Sequence, residues 1–345
     1  MKKIVVASAR EGAGKTTAVI GIGRKVSGKI GYMKPFGDRI YYHKKRLWDY
    51  DSVAVAKTLG ISEAPEKLSI GFEHSKLMYM FDREGIAKKV RELFEEISTG
   101  KDMVFIEGSK DMNYGASVNL DSFSVAHYLQ SAMLMIFSGK EEDIFDDIVR
   151  CKELAEMKGV KIVGAIINKV RDVNEWKEIH VQRVEKEGIH VLGILPEIKE
   201  LSTITAEFVA DQLPAKVLAG EKGLHNEIEN IFIGAMSVSA AIKNPLFNKK
   251  KKLILTSGDR TDMVLTALRE DTSCIVLTNN IIPPARIREM ADEKGIPLLL
   301  TPWDTYTSAK KLENIKPWIS EKNEKKMRAV ETSFESLDTS WIMNM

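Results

Sequence analysis

The chain has almost no cysteine: Cys151 and Cys274 are the only two among 345 residues. They stand far apart and in no metal-ligand spacing, which excludes a disulfide framework and a cysteine zinc site and fits a reducing cytoplasm. An excess of charge of either sign is also missing. Lys and Arg total 51 against 49 Asp and Glu, a formal net charge of +2, so bulk electrostatics give no ground for a nucleic-acid partner. Lys249 to Lys252, four lysines in a row, are the local exception; directly before the strand-like "LILTSG" they read as a solvated approach to a buried strand. No apolar run approaches the length needed to cross a membrane. The basic start "MKKIVVASARE" has too short an apolar part for a signal peptide, so no membrane partner is expected.

What is present is an alternation of short apolar runs with amphipathic segments. "KIVVAS", "KIGYMKP", "DMVFIEG", "AMLMIFSG", "KIVGAIINKV" and "HVLGILPE" read as buried strands. Between them, "REGIAKKVRELFEEIS" and "IFDDIVRCKELAEMKG" space apolar residues three and four apart, and the second closes on a helix-stopping glycine. Such β–α order implies a mostly parallel sheet covered by helices on both faces. A second series follows, with "AKVLAG", "IENIFIGAM", "KKLILTSG", "TSCIVLTN" and "GIPLLLT" as strands. Proline and glycine in "DQLPAKVLAGEKGL" place the expected break at 213/214, giving an α/β domain over 1–213 and a smaller α/β domain over 214–320. The charged remainder, 321–345, is either a docking helix or a mobile end, since Trp341 and Ile342 need a partner surface.

"SAREGAGKTT", Ser8 to Thr17, lies between the first strand and the first helix. It matches the phosphate-binding pattern G-x-x-x-x-G-K-[ST] at Gly14, Lys15 and Thr16, with Ala9 where the first glycine belongs. Gly12 and Gly14 permit close backbone approach, so Glu11, Gly12, Ala13, Gly14, Lys15, Thr16 and Thr17 form the expected phosphate cradle. Lys15 reaches the β and γ phosphates and the Thr16 hydroxyl meets Mg²⁺. Glu107 ends the run "DMVFI", placing its carboxylate at the C-terminal edge of a strand, where open α/β sheets bind ligands and oxygen ligands suit Mg²⁺.

These motifs, with "YMKPFGDR", "DYDSVAVAKTLG", "VFIEGSKDM", "GAIINKV" and "VLGILPEIKELS", resemble the dethiobiotin synthetase branch of P-loop proteins. With "VLAGEKGL", "SGDRTDMVLTAL", "LTNN" and "TPWDTYTSA", nearly the whole chain resembles the amino-terminal part of long phosphate acetyltransferases, where such a domain precedes a DRTGG domain. The resemblance implies a P-loop NTPase-type fold binding ATP and Mg²⁺, with Asp51 joining Thr16 and Glu107 around the ion; Asp49, two residues earlier, fits the same spacing. It implies that Lys34 neutralises phosphates and acceptor, and that Asn168 meets the nucleobase. Arg171 replaces the aspartate of the guanine-reading N-K-x-D form, which favours adenine. Arg10 falls where deviant P-loop ATPases carry a lysine that crosses a dimer interface, and it is either such a trans cation or a solvated loop residue. A homodimer or larger homo-oligomer is therefore expected.

Phe36, Gly37, Asp38 and Arg39 are bulkier and more charged than the residues expected beside a dethiobiotin synthetase acceptor, which puts the ligase chemistry in doubt. Acetyl transfer belongs to a further domain of the acetyltransferases and is not expected here. In the second domain, Asp259, Arg260 and Thr261 stand at a strand-to-helix turn, with Asp304 and Thr305 at what reads as the same edge. That set suits a small anion, or else caps helices and closes turns; Asp262 and Met263 replace the Gly-Gly of the DRTGG name. The resulting expectation is an ATP-binding, slowly hydrolysing protein that regulates or senses, through a small-metabolite effector or a protein partner. An ATP-dependent ligase is the alternative.

Overall fold

The computed structural model describes residues 1–43, 46–315, 317, 319 and 323–343. Parts of the 214–320 and 321–345 segments therefore lie outside the described residues. The first unit begins with β1 (Lys2–Ser8), α1 (Lys15–Lys25), β2 (Ile30–Met33), the hairpin β3 (Ile40–His43) and β4 (Arg46–Asp49), and α2 (Tyr50–Thr58). It continues through α3 (His74–Met80), α4 (Arg83–Ser98), β5 (Met103–Glu107), α5 (Ser122–Leu129), β6 (Ala132–Phe137), α6 (Glu141–Lys158), β7 (Ile162–Val170), α7 (Val173–Lys186) and β8 (Val191–Pro196). The local causes are legible. Asp82 caps α4 by accepting from the Gly85 backbone N–H at 2.7 Å, and Ile86, Val90, Phe94 and Ile97 bury one stripe of it. Gly159, left-handed at φ 64°, ends α6.

Six strands form one parallel sheet in the order β2-β5-β1-β6-β7-β8. The chain leaves β1 toward one edge and later continues on the other side of it, so the strand ends around β1 and β5 form a topological switch point. Every residue of β5 is buried, as a parallel strand covered on both faces requires.

The second unit carries α8 (Lys199–Ser202), β9 (Ile204–Thr205), α9 (Ala206–Gln212), β10 (Lys216–Ala219), β11 (Glu227–Ile228), β12 (Asn230–Ile233), α10 (Val238–Ile242), β13 (Lys252–Ser257), α11 (Thr261–Ala267), β14 (Thr272–Thr278), α12 (Ala285–Lys294), β15 (Leu298–Leu300) and α13 (Thr305–Glu313). Its sheet runs β10-β15-β14-β13-β12, parallel except for β10, which pairs antiparallel with β15. This compact unit spans Lys199–Pro317. Its start precedes the expected 213/214 break because β9 pairs with β11 and the Thr301 hydroxyl donates to the Leu213 carbonyl, tying 204–213 forward into the second sheet. Pro214 and Gly220 flank β10 inside the unit.

The chain then returns to the first unit. α14 (Glu324–Glu335), followed by α15 (Ser340–Met343), packs on α1, with the Phe334 ring occupying the space above Gly21. Lys25 caps the end of α14 through the carbonyls of Phe334 (3.0 Å), Glu335 (2.9 Å) and Leu337 (2.6 Å). Within the charged remainder α14 is a docking helix, and α1 is its surface.

Candidate functional site

The P-loop joins β1 to α1. Gly12 and Gly14 adopt φ of 71° and 106°, which other residues rarely tolerate, and Gly14 is the N-cap of α1. A Cβ at Gly14 would lie 2.2 Å from the Asn168 side-chain nitrogen, so the glycine is required by the close approach of β7 as well as by its φ. Lys15, 7 % exposed, donates from Nζ to the Ser8 hydroxyl at 2.8 Å and to the Lys110 carbonyl at 3.0 Å. Both acceptors are neutral, and burial lowers the Lys15 pKa against the pull of Glu107. This is a cation held in place by groups that phosphate oxygens can replace.

Register brings Glu107 to the loop: Val6 of β1 faces Glu107 at the end of β5, two residues before Ser8. The Thr16 hydroxyl donates to Glu107 Oε1 at 2.7 Å, and the Tyr32 hydroxyl to Oε2 at 3.0 Å. Burial first, and then the Asp51 charge, push the Glu107 carboxyl up to about 7, against Lys34, Lys15 and Thr16. Two oxygen donors thus meet beside a lysine at a helix N-terminus, and hard oxygen donors fit Mg²⁺. Thr16 and Glu107 could hold such an ion, which would neutralise phosphate charge; Asp51, the third residue expected there, engages its two oxygens with Lys34 and Arg39.

Beside this lies a cage of charge around Lys34, which is 1 % exposed. Its Nζ contacts Asp51 Oδ2 at 2.7 Å, Asp49 Oδ2 at 3.3 Å and the Asp38 carboxylate. Arg39 completes the set at 3.1 Å from Asp51 Oδ1. Asp49 has a structural role: it caps α2 through the Ser52 N–H at 2.9 Å and accepts the backbone N–H groups of Asp38 and Arg39 at 3.1 Å each. Burial opposes the Lys34 charge, yet Asp49, Asp51 and Asp38 hold its pKa well above the ordinary lysine value. Burial likewise works against ionised Asp51, but Lys34 and Arg39 keep its carboxyl well below the usual range. Asp38, Asp49 and Asp51 offer oxygens close enough together for one cation, and Lys34 now fills that role.

The remaining expected residues fall as follows. Glu11 pairs with Lys110 at 3.3 Å, fastening the loop after β5 over the P-loop. Ala13 is buried, and its carbonyl accepts the Asn168 amide at 2.8 Å, so Asn168 touches the cradle itself. Arg10 is neither free nor purely solvated: it pairs with Asp147 at 2.6 Å and Asp143 at 3.2 Å, both on α6 of the same chain. Thr17 follows on the first turn of α1. Ser8, Tyr32 and the Lys110 carbonyl were not singled out from sequence; Ser8 adjoins the motif, while the other two become visible only through register.

In the second unit the five expected residues fall into two groups. Arg260 donates to Asp262 at 3.1 Å and to the Met236 carbonyl at 3.0 Å, while Asp259 and Thr261 form the turn into the short α11. Asp304 caps α13, accepting the Thr307 N–H at 2.8 Å and its hydroxyl at 2.9 Å, and Thr305 meets Thr278 at 3.0 Å. Among the described residues no hydrogen bond or ion pair joins the two groups. The Asp304 oxygens are engaged in capping.

Comparison with known proteins decides the family. The AAA domain profile matches residues 2–205, more than half of the chain, and the DRTGG domain profile matches residues 208–315. The chain belongs to the AAA domain family. Its AAA domain is thus followed by a DRTGG domain, as the resemblance implied. The chain is similar to a phosphate acetyltransferase of Synechocystis sp., 26 % identical across 70 % of this chain and 36 % of that protein. It is also similar to one of Nitratidesulfovibrio vulgaris, 23 % identical across 80 % of this chain and 40 % of that protein. It therefore spans well under half the length of these curated relatives. Among solved structures, a plasmid partition protein of Borrelia burgdorferi is 12 % identical, covers 58 % of this chain with 91 % of its own, and has a TM-score of 0.39. Among the described residues of the AAA domain and its successor, no helix is long and apolar enough to cross a membrane.

Proposed function

We propose that the chain binds ATP with Mg²⁺ at the β1–α1 loop, hydrolyses it slowly as a homodimer or larger homo-oligomer, and acts as a regulatory or sensing protein whose DRTGG domain meets a metabolite effector or a protein partner. The observation that carries the nucleotide reading is the junction of Lys15, Thr16 and Glu107, in which a buried cation and a hydroxyl–carboxylate pair 2.7 Å apart meet at a helix N-terminus. Arg171 in place of an accepting aspartate supports adenine over guanine. The DRTGG domain supports the regulatory reading. A ligase of the dethiobiotin synthetase type has less support, because Lys34, which would neutralise the acceptor, already spends its charge on three carboxylates.

Calorimetric titration tests the assignment. Mg-ATP binds the wild type saturably, and Lys15→Ala weakens binding by about 100-fold or more, as loss of a buried charge-assisted contact implies. Far-UV circular dichroism of the variant stays unchanged. Equal affinity in both proteins, or displacement of ATP by GTP at equal concentration, contradicts the reading.

A further inference from the structure

A cavity of about 540 Å³ opens on the flank of the first unit, away from the P-loop. The segment after α2 makes one wall: its backbone pairs with the chain following β2, through Lys34 N–H to Leu68 O at 2.9 Å and Ile70 N–H to Pro35 O at 2.8 Å. Helices α3 and α4 and strand β4 supply the others. The volume falls in the range of small-molecule sites, and Leu47, Phe72, Leu77 and Leu93 give it an apolar lining. Two residues of this lining each bury a polar atom that has no hydrogen-bond partner among the described residues, Glu66 Oε2 and Ser69 Oγ.

Buried polar atoms are almost always paired, because leaving one unpaired forfeits its hydration. A carboxylate oxygen can only accept when ionised, so its missing partner is a donor. Glu66 lines the cavity and reaches Arg46 through its other oxygen, so Oε2 is the atom left over. The other glutamates of the walls have cationic partners, Glu73 in Lys76, Glu92 in Lys89 and Glu96 in Lys67, which leaves Glu66 Oε2 as the acceptor without one among the described residues. We propose that this cavity is a binding site for a small amphipathic amine, whose apolar body lies against Leu47, Phe72, Leu77 and Leu93 and whose protonated nitrogen donates to Glu66 Oε2, with Ser69 Oγ as a second polar contact. The cavity shares no residue with the nucleotide site, so the two assignments stand or fall separately.

The test uses n-octylamine, n-octanoate and n-octanol as probes of the full chain, read by the methyl resonance of Met80 at the cavity mouth. Octylamine shifts the resonance saturably, and octanoate binds at least about tenfold more weakly, as a charge-assisted hydrogen bond requires. Glu66→Gln removes that preference while leaving octanol affinity within about twofold. Leu93→Trp, which fills the cavity from α4, abolishes the response to all three. No shift with octylamine up to its solubility limit, equal affinity for octanoate, or an unchanged preference in Glu66→Gln overturns the proposal. So does sedimentation that finds a dimer broken by Met80→Glu and indifferent to octylamine, which would assign the cavity to a second copy of the chain.

Discussion

Replacing Lys34 by methionine keeps the volume of the side chain and removes the one charge at the centre of the cage. In the wild type, Lys34 and Arg39 offset two of the three carboxylates; in the variant a buried cluster carries two negative charges in excess. Breaking a buried ion pair from one side costs about 3–5 kcal/mol, and Lys34 is 1 % exposed, so solvent screening offers no discount. At a urea slope of about 2 kcal/mol per molar, the unfolding midpoint of the first unit falls by roughly 1.5–2.5 M. The pH dependence fixes the cause. Asp51 is held low in the wild type, so its stabilisation is present above the unfolded pKa and lost as pH falls through the folded one. In the variant, burial without Lys34 raises the carboxylates, so their contribution is full below the unfolded value near 3.9 and lost as pH rises. Both effects make the deficit largest at neutral pH and smaller toward pH 4. Tryptophan fluorescence during urea titration at pH 7 and pH 5 measures it. A deficit under about 1 kcal/mol, or one equal at the two pH values, refutes the reasoning.

Three other outcomes follow from the same geometry. Because Glu107 is raised to about 7, its stabilisation is complete below 4.5 and lost as pH rises through 7; Glu107→Gln therefore narrows the difference in melting temperature between pH 5 and pH 8, and an unchanged difference counts against the assignment. Phe334→Ala removes a ring that is 1 % exposed over Gly21 and costs about 3–5 kcal/mol by chemical denaturation, while Gly21→Ala, whose Cβ would lie 2.4 Å from that ring, is partly rescued by it in the double variant. Additive losses would remove that contact from the account. On the oligomer reading proposed above, in which Arg10 would leave Asp147 and Asp143 for a partner's phosphates, Arg10→Ala lowers ATP turnover more than ATP affinity; a monomer in sedimentation with undiminished phosphate release discards Arg10 as a trans cation.

The six parallel strands of the first unit are legible because each is an apolar run with turn residues behind it, and the P-loop because its chemistry is contiguous. The cage is not legible. Lys34, Asp38, Asp49 and Asp51 converge only because Ile40 pairs with Asp49 across a hairpin whose strands, "IYYH" and "RLWD", carry no apolar run. Strand direction is equally hidden: "AKVLAG" reads as a strand, but nothing in four residues says that β10 runs antiparallel to β15. Lys252 departs from the solvated approach expected for the lysine run, since pairing with Asn230 makes it the first residue of β13 and its Nζ donates to the Asp271 carbonyl at 3.0 Å. The destination of α14 is a matter of tertiary fit. Met327, Val330 and Phe334 share a face, yet the surface they cover is made of residues some 300 positions earlier.

The return of α14 to α1 sets an order on biosynthesis. The helix that carries Lys15 and Thr16 leaves the ribosome well ahead of the ring that covers Gly21. About 140 residues separate the end of β8 from Phe334, and at about 5–20 residues per second they take roughly 7–28 s to appear. Through that interval, in which the second unit is made, the nascent first unit has its sheet but lacks the cover on α1. Helix α1 reaches its finished packing only once α14 has emerged, so a stop ahead of residue 324 leaves the P-loop on a helix with one apolar flank bare.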